Sequence, residues 1–152
     1  SNSKNLVKMS YALGNLGTSL FGQGKVEESI GMYLASLNLK YQLNSKKSSI
    51  AISLNNLGEA YMKLDSLDKA KLYFDQSLRL RPKDGEVKGV AIVCHNLAAL
   101  AIKKGELSDT FSYLERARII AEKKGLKDLR LENLRLQKIF FAKKVIIKGP
   151  LR

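Results

Sequence analysis

The strongest constraint on this chain is a phrase that returns at a fixed interval: Asn15-Leu16-Gly17, Asn56-Leu57-Gly58 and Asn96-Leu97-Ala98, spaced 41 and then 40 residues apart. A second phrase keeps step with it, as Ser29-x3-Tyr33-x2-Ser36, Ala70-x3-Phe74-x2-Ser77 and Thr110-x3-Leu114-x2-Ala117. From Leu16 to Tyr33, Leu57 to Phe74 and Leu97 to Leu114 the separation is always 17 residues. Self-similarity at such a period is the mark of stacked units, none of which buries its apolar face alone. Within the first phrase the apolar spacing is helical, as in Leu13-x2-Leu16-Gly17-x2-Leu20 and Leu54-x2-Leu57-Gly58-x2-Tyr61. The third copy, Cys94-x2-Leu97-Ala98-x2-Ala101, is weaker.

Short breaks divide each unit, at Gly22-Gln23-Gly24-Lys25, Leu64-Asp65-Ser66 and Lys104-Gly105-Glu106. A glycine closing the first helix supplies a left-handed cap, and Ser66 and Ser108 are suited to open the helices that follow. The pattern predicts helices over about 4–22, 25–43, 46–64, 67–81, 85–104, 107–124 and 126–144. Gly17, Gly58 and Ala98 are expected to face the small residues Ser29, Ala70 and Thr110 so that the backbones approach. Leu16 with Tyr33, and Leu57 with Phe74, then fill the space beside that contact.

These residues resemble the tetratricopeptide repeat, whose W-x2-L-G-x2-Y…A-x3-F…P grammar the second copy follows most closely, through Leu57-Gly58, Tyr61, Ala70, Phe74 and Pro82. The resemblance spans roughly residues 5–125 and implies an all-α fold. It would be a right-handed α-solenoid of three helical hairpins, at about 5–43, 46–81 and 85–124, with a further helix at about 126–147, in one domain over 1–152. Repeats of this family usually run about 34 residues. The longer period here falls at the junctions, as from Leu39 to Ser48, and lengthens the helices. The phrase Ala51-Ile52-Ser53-Leu54-Asn55-Asn56-Leu57-Gly58 is also similar to the long repeats of kinesin light chains and of bacterial sensor and regulator proteins. That likeness implies a non-enzymatic protein-interaction module, part of a bacterial regulatory or signalling protein, that holds an extended peptide or a partner helix.

In such arrays the first helices line a concave surface. The corresponding stripe here reads Tyr11, Asn15, Thr18; Ile52, Asn56, Glu59, Lys63; and Ile92, Asn96, Ala99, Lys103, with His95 beside Asn96. An asparagine amide both donates and accepts, so the recurrent Asn can pair with a peptide backbone. The alternative is that each Asn bonds a neighbouring helix and fixes the stacking. A co-chaperone type of carboxylate clamp is not expected, because its Lys, Asn, Asn, Lys and Arg fall on Gly14, Thr18, Asn56, Ile92 and Asn96, of which only Asn56 agrees.

The last helix carries two apolar stripes, Leu129, Leu136 and Phe140, and Leu131, Leu134, Phe141 and Val145, followed by Ile146-Ile147. One can pack on the preceding hairpin while the other stays exposed, which points to self-association through Phe140, Phe141 and Val145, or to a continuing chain.

Charge is uneven. Of a net +13, the stretch from Arg116 to Arg152 carries 12 Lys or Arg against 3 Asp or Glu, so +9 lies there and +4 elsewhere. A solvated basic face accounts for this most simply, and an acidic protein partner next. Nucleic acid is disfavoured, since no aromatics interleave with the charges for base stacking. A membrane contact through Lys138, Phe140, Phe141, Lys143 and Lys144 is the lesser use. No apolar run is long enough to span a bilayer and no cleavable signal is visible, so the expected compartment is the cytoplasm. The opening Ser1-Asn2-Ser3 has the look of an expression scar on a trimmed fragment.

No catalytic constellation is legible. His95 is the only histidine and Cys94 the only cysteine, they are helix neighbours pointing about 100° apart, and no metal-ligand spacing exists. Cys94 falls on a large apolar position and is expected to be a buried thiol. Gly22-x-Gly24-Lys25 lacks the form of a phosphate loop. Neither a cofactor nor a metal is expected.

Overall fold

The computed structural model describes residues 1–81 and 87–149. These form α1 (Asn2–Gly22), α2 (Val26–Gln42), α3 (Lys47–Lys63), α4 (Leu67–Leu80), α5 (Val87–Lys104), α6 (Thr110–Lys124) and α7 (Lys127–Lys148), with no strand among the described residues. The fold is all-α, as expected. Pro82 and the expected first residues of the fifth helix lie outside the described residues. Two bounds differ: α6 opens at Thr110, with Asp109 rather than Ser108 before it, and α7 runs on to Lys148. Ser66 does precede α4, but its hydroxyl makes no capping bond.

The turns share one construction. After α1, α3 and α5 a residue with positive φ (Gly24 at 79°, Asp65 at 61°, Gly105 at 74°) lets the next amide reach back to a carbonyl of the last helical turn. Lys25, Ser66 and Glu106 each make that bond at 2.9 Å, to Leu20, Tyr61 and Ala101. This is the Schellman closure, and an aspartate serves where glycine is the commoner choice.

Helices α1–α4 form one compact unit and α5–α7 another. In the first, α1 pairs with α2 and α3 with α4, and α2 packs on α3. The core lies at that junction: Val26, Ile30, Tyr33 and Leu37 of α2 meet Ile50, Leu54, Leu57 and Ala60 of α3. Burying side chains such as Leu54 and Leu57 contributes about 1.5–3 kcal/mol each.

Within the hairpins Gly17 and Gly58 each lie under an aromatic ring. Gly17 faces the ring of Tyr33 and Gly58 the ring of Phe74, each too close for a Cβ. The glycine makes room for a ring, while Ser29 turns its hydroxyl back to the carbonyl of Val26. Leu16 also departs from expectation: it is 47% exposed, whereas Leu57 is fully buried. Leu57 has α2 beside it, and Leu16 has no helix on the corresponding side among the described residues.

A hydroxyl ties each of these two hairpins across its axis. Ser36 Oγ donates to the carbonyl of Ser10 at 2.6 Å, and Ser77 Oγ to the carbonyl of Ala51 at 2.7 Å. Between the hairpins lies a buried lysine. Lys40 Nζ donates to the Ser49 carbonyl (3.1 Å) and to Ser53 Oγ (2.8 Å), and stands 5.5 Å from the centre of the Tyr11 ring. Burial pushes its ammonium below the usual lysine range.

In the second unit α5 pairs with α6, and α7 packs mainly on α6 and also on α5. Ala98, Ile102, Leu114 and Phe140 form the core, flanked by Leu107, Tyr113 and Leu136. Where glycine becomes Ala98, the opposed aromatic becomes Leu114, so the extra methyl is matched by a slimmer partner. Ala117 stands where the other hairpins have their tying serine. Instead, Asn133 of α7, 2% exposed, donates through Nδ2 to the Leu114 carbonyl (3.0 Å) and meets His95 Nδ1 with Oδ1 (3.2 Å).

Candidate functional site

On α1 and α3, neighbouring helices of the first unit, the stripe residues are unequal in exposure. Tyr11 is 55% exposed, Asn15 and Lys63 are exposed, and Asn56 and Glu59 are half-buried. Ile52, one turn before Asn56, is 47% exposed. The amides of Asn15 and Asn56 have no side-chain hydrogen bond among the described residues. Thr18 lies against α2: its hydroxyl donates to the Gly14 carbonyl (3.1 Å) and accepts from Tyr33 OH (3.3 Å). Glu59 accepts from Asn55 Nδ2 at 3.4 Å. Burial raises the Tyr33 phenol above its usual range, the Thr18 bond opposes that, and the negative charge of Glu59 adds to it. Thr18, Tyr33 and Glu59 therefore form one polar cluster at the meeting of α1, α2 and α3.

The residues of α5 are placed differently. Lys103 is exposed, but Asn96 is buried and has an interaction partner. His95, expected as a surface residue of the stripe, is half-buried and turned to Asn133 of α7. Because Asn133 spends its Nδ2 on the Leu114 carbonyl, its Oδ1 faces the imidazole, and His95 must present N–H at Nδ1. Cys94 is fully buried, as expected, and burial pushes its thiol up against an opposing effect of Arg116.

On α7 the two stripes separate. Leu131, Leu134, Phe141 and Val145 are 47–65% exposed, and Ile146 and Ile147 more so. Phe140, expected with Phe141 and Val145 on the associating face, is 2% exposed and belongs to the core, with Phe111 at 6.5 Å between ring centres. Its place at the end of the stripe Leu129, Leu136, Phe140 is why it turns inward.

Sequence reasoning missed Lys40 and Asn133. Both stand on core registers, Lys40 in line with Tyr33, Ser36 and Leu37, and Asn133 in line with Leu129, Leu136 and Phe140. A polar residue on an apolar stripe was the available signal.

Among the described residues no group of His, Cys, Asp and Glu could hold a metal ion, and no helix is long and apolar enough to cross a membrane. Comparison with curated proteins finds no match. The tetratricopeptide repeat model matches residues 8–83, the span of the first two hairpins, where the glycine–aromatic packing and the serine ties both recur. With that match over half of its length and three helical hairpins in the order the repeat requires, the chain belongs to the tetratricopeptide repeat family.

Proposed function

We propose that this chain is a non-enzymatic docking module that holds an extended peptide or a partner helix along α1 and α3. Tetratricopeptide repeats generally mediate protein–protein interaction, and members of the family are typically not enzymes. The observation that carries the finer reading is the pair of unpartnered amides, Asn15 and Asn56, beside the exposed apolar surfaces of Tyr11 and Ile52. Amides read a peptide backbone while exposed apolar groups take its side chains. Asn96 is left out of this surface, being buried and partnered. The test is selection of a random-peptide phage library on the chain, followed by binding of the selected peptides to Asn15→Ala/Asn56→Ala. Each lost amide contact should cost about 1–3 kcal/mol. Undiminished binding with an unchanged helical spectrum sinks the proposal.

A second reading, self-association through α7, is supported by the exposed stripe Leu131, Leu134, Phe141 and Val145. Sedimentation of wild type and of Phe141→Glu/Val145→Glu tests it. A wild-type monomer at all concentrations removes this reading.

A further inference from the structure

A recess of about 330 Å³ opens between the turn that precedes α6 and the last two turns of α7. Leu107, Phe111, Phe140 and Ile147 give it apolar walls, and Lys144 and Lys148 stand at its mouth. Phe111 is 49% and Ile147 69% exposed, so apolar surface is presented to whatever enters. The Lys144 ammonium lies 5.8 Å from the centre of the Phe140 ring, which holds it over the opening. Neither lysine has an ion-pair partner among the described residues, and no carboxylate lines the recess.

We infer that this recess docks an acidic peptide segment of a partner protein, one apolar side chain entering between Phe111 and Ile147 while flanking carboxylates meet Lys144 and Lys148. The occupant follows from charge and shape together. Two unpaired ammonium groups beside an apolar hollow are complementary to an Asp- or Glu-flanked Phe or Leu, and a partner without acid would strand them against its own surface. A second copy meeting this recess with the same face is a poor occupant, because that face carries the same Lys144 and Lys148. A bilayer demands a convex apolar face, whereas this one is hollow and sized for a side chain. The site is built from α6 and α7 and so is independent of the surface proposed on α1 and α3.

The probe is a fluorescent synthetic peptide carrying one phenylalanine between runs of glutamate, titrated against the whole chain by anisotropy. It should bind, and Lys144→Glu/Lys148→Glu should weaken it by about tenfold or more, as should alanine in place of the peptide's phenylalanine. The same charge-reversed variant should gain binding of the counterpart peptide with lysines for glutamates, a result that requires a folded protein. Asn15→Ala/Asn56→Ala should leave the acidic peptide's affinity unchanged. Equal binding of the phenylalanine and alanine peptides, or retention by the charge-reversed variant, overturns the inference. So does failure of the acidic peptide to bind while phosphatidylserine vesicles do.

Discussion

Phe74 lies so close over the backbone of Gly58 that a Cβ at position 58 would stand 2.5 Å from both Cδ1 and Cε1 of the ring. Neither side can yield easily, since Phe74 is fully buried and Gly58 is in mid-helix. Gly58→Ala should therefore destabilise the chain by about 1–3 kcal/mol in urea titration, the usual cost of overpacking. The third hairpin, with Ala98 opposite Leu114, already holds the compensated pair. Gly58→Ala/Phe74→Leu should accordingly recover part of the loss, and a double variant as unstable as the sum of its singles would show that the two sites are not coupled.

Leu57 and Leu16 occupy the same place in successive repeats and should answer truncation differently. Leu57→Ala empties a fully buried site and should cost about 2–5 kcal/mol. Leu16→Ala, at 47% exposure, should stay below about 1 kcal/mol. Equal losses in parallel denaturant titrations would contradict the exposure of Leu16.

Asn133 links α5, α6 and α7 through one side chain. Asn133→Ala strands the Nδ1–H of His95 and withdraws a donor from the Leu114 carbonyl, a loss of about 1–3 kcal/mol. Nitrogen chemical shifts of the imidazole should report the Nδ1–H tautomer in the wild type and a mixture in the variant.

Lys40 makes stability depend on alkaline pH. Its folded pKa lies below the 10.5 of an ordinary lysine because burial penalises the ammonium, so within that interval the unfolded chain binds more protons than the folded one. Stability contributed by this group should rise as pH rises from the folded pKa toward 10.5. Lys40→Met should flatten that rise in urea midpoints measured at successive pH values, and an unchanged slope would assign it to another group.

The repeat, the positions of the hairpins and the burial of Cys94 were all legible in the sequence, because periodicity reports which faces are apolar. Periodicity does not report what an apolar face touches. Gly17 and Gly58 could be recognised as sites of close approach, but that the rings of Tyr33 and Phe74 lie directly over them is set by packing. Lys40 and Asn133 were illegible for a related reason. Their burial depends on acceptors far away in sequence, at Ser53 for the one and at Leu114 for the other. The three stripe asparagines looked alike because their registers match, but Asn15 is exposed, Asn56 half-buried and Asn96 buried and engaged. How many neighbours a helix has is a property of its place in the stack, which no local pattern encodes.

Two helices packed through apolar ridges can slip along one another by a turn at modest cost, and a directional bond that spans them removes that freedom. Ser36 and Ser77 fix the axial setting of the first two hairpins from within. The third has Ala117 at that place, and the amide of Asn133 in α7 holds His95 of α5 and Leu114 of α6 at once. A piece cut after Arg81 therefore carries both serine pins, whereas a piece cut before Leu126 loses the one amide that reaches α5 and α6 together.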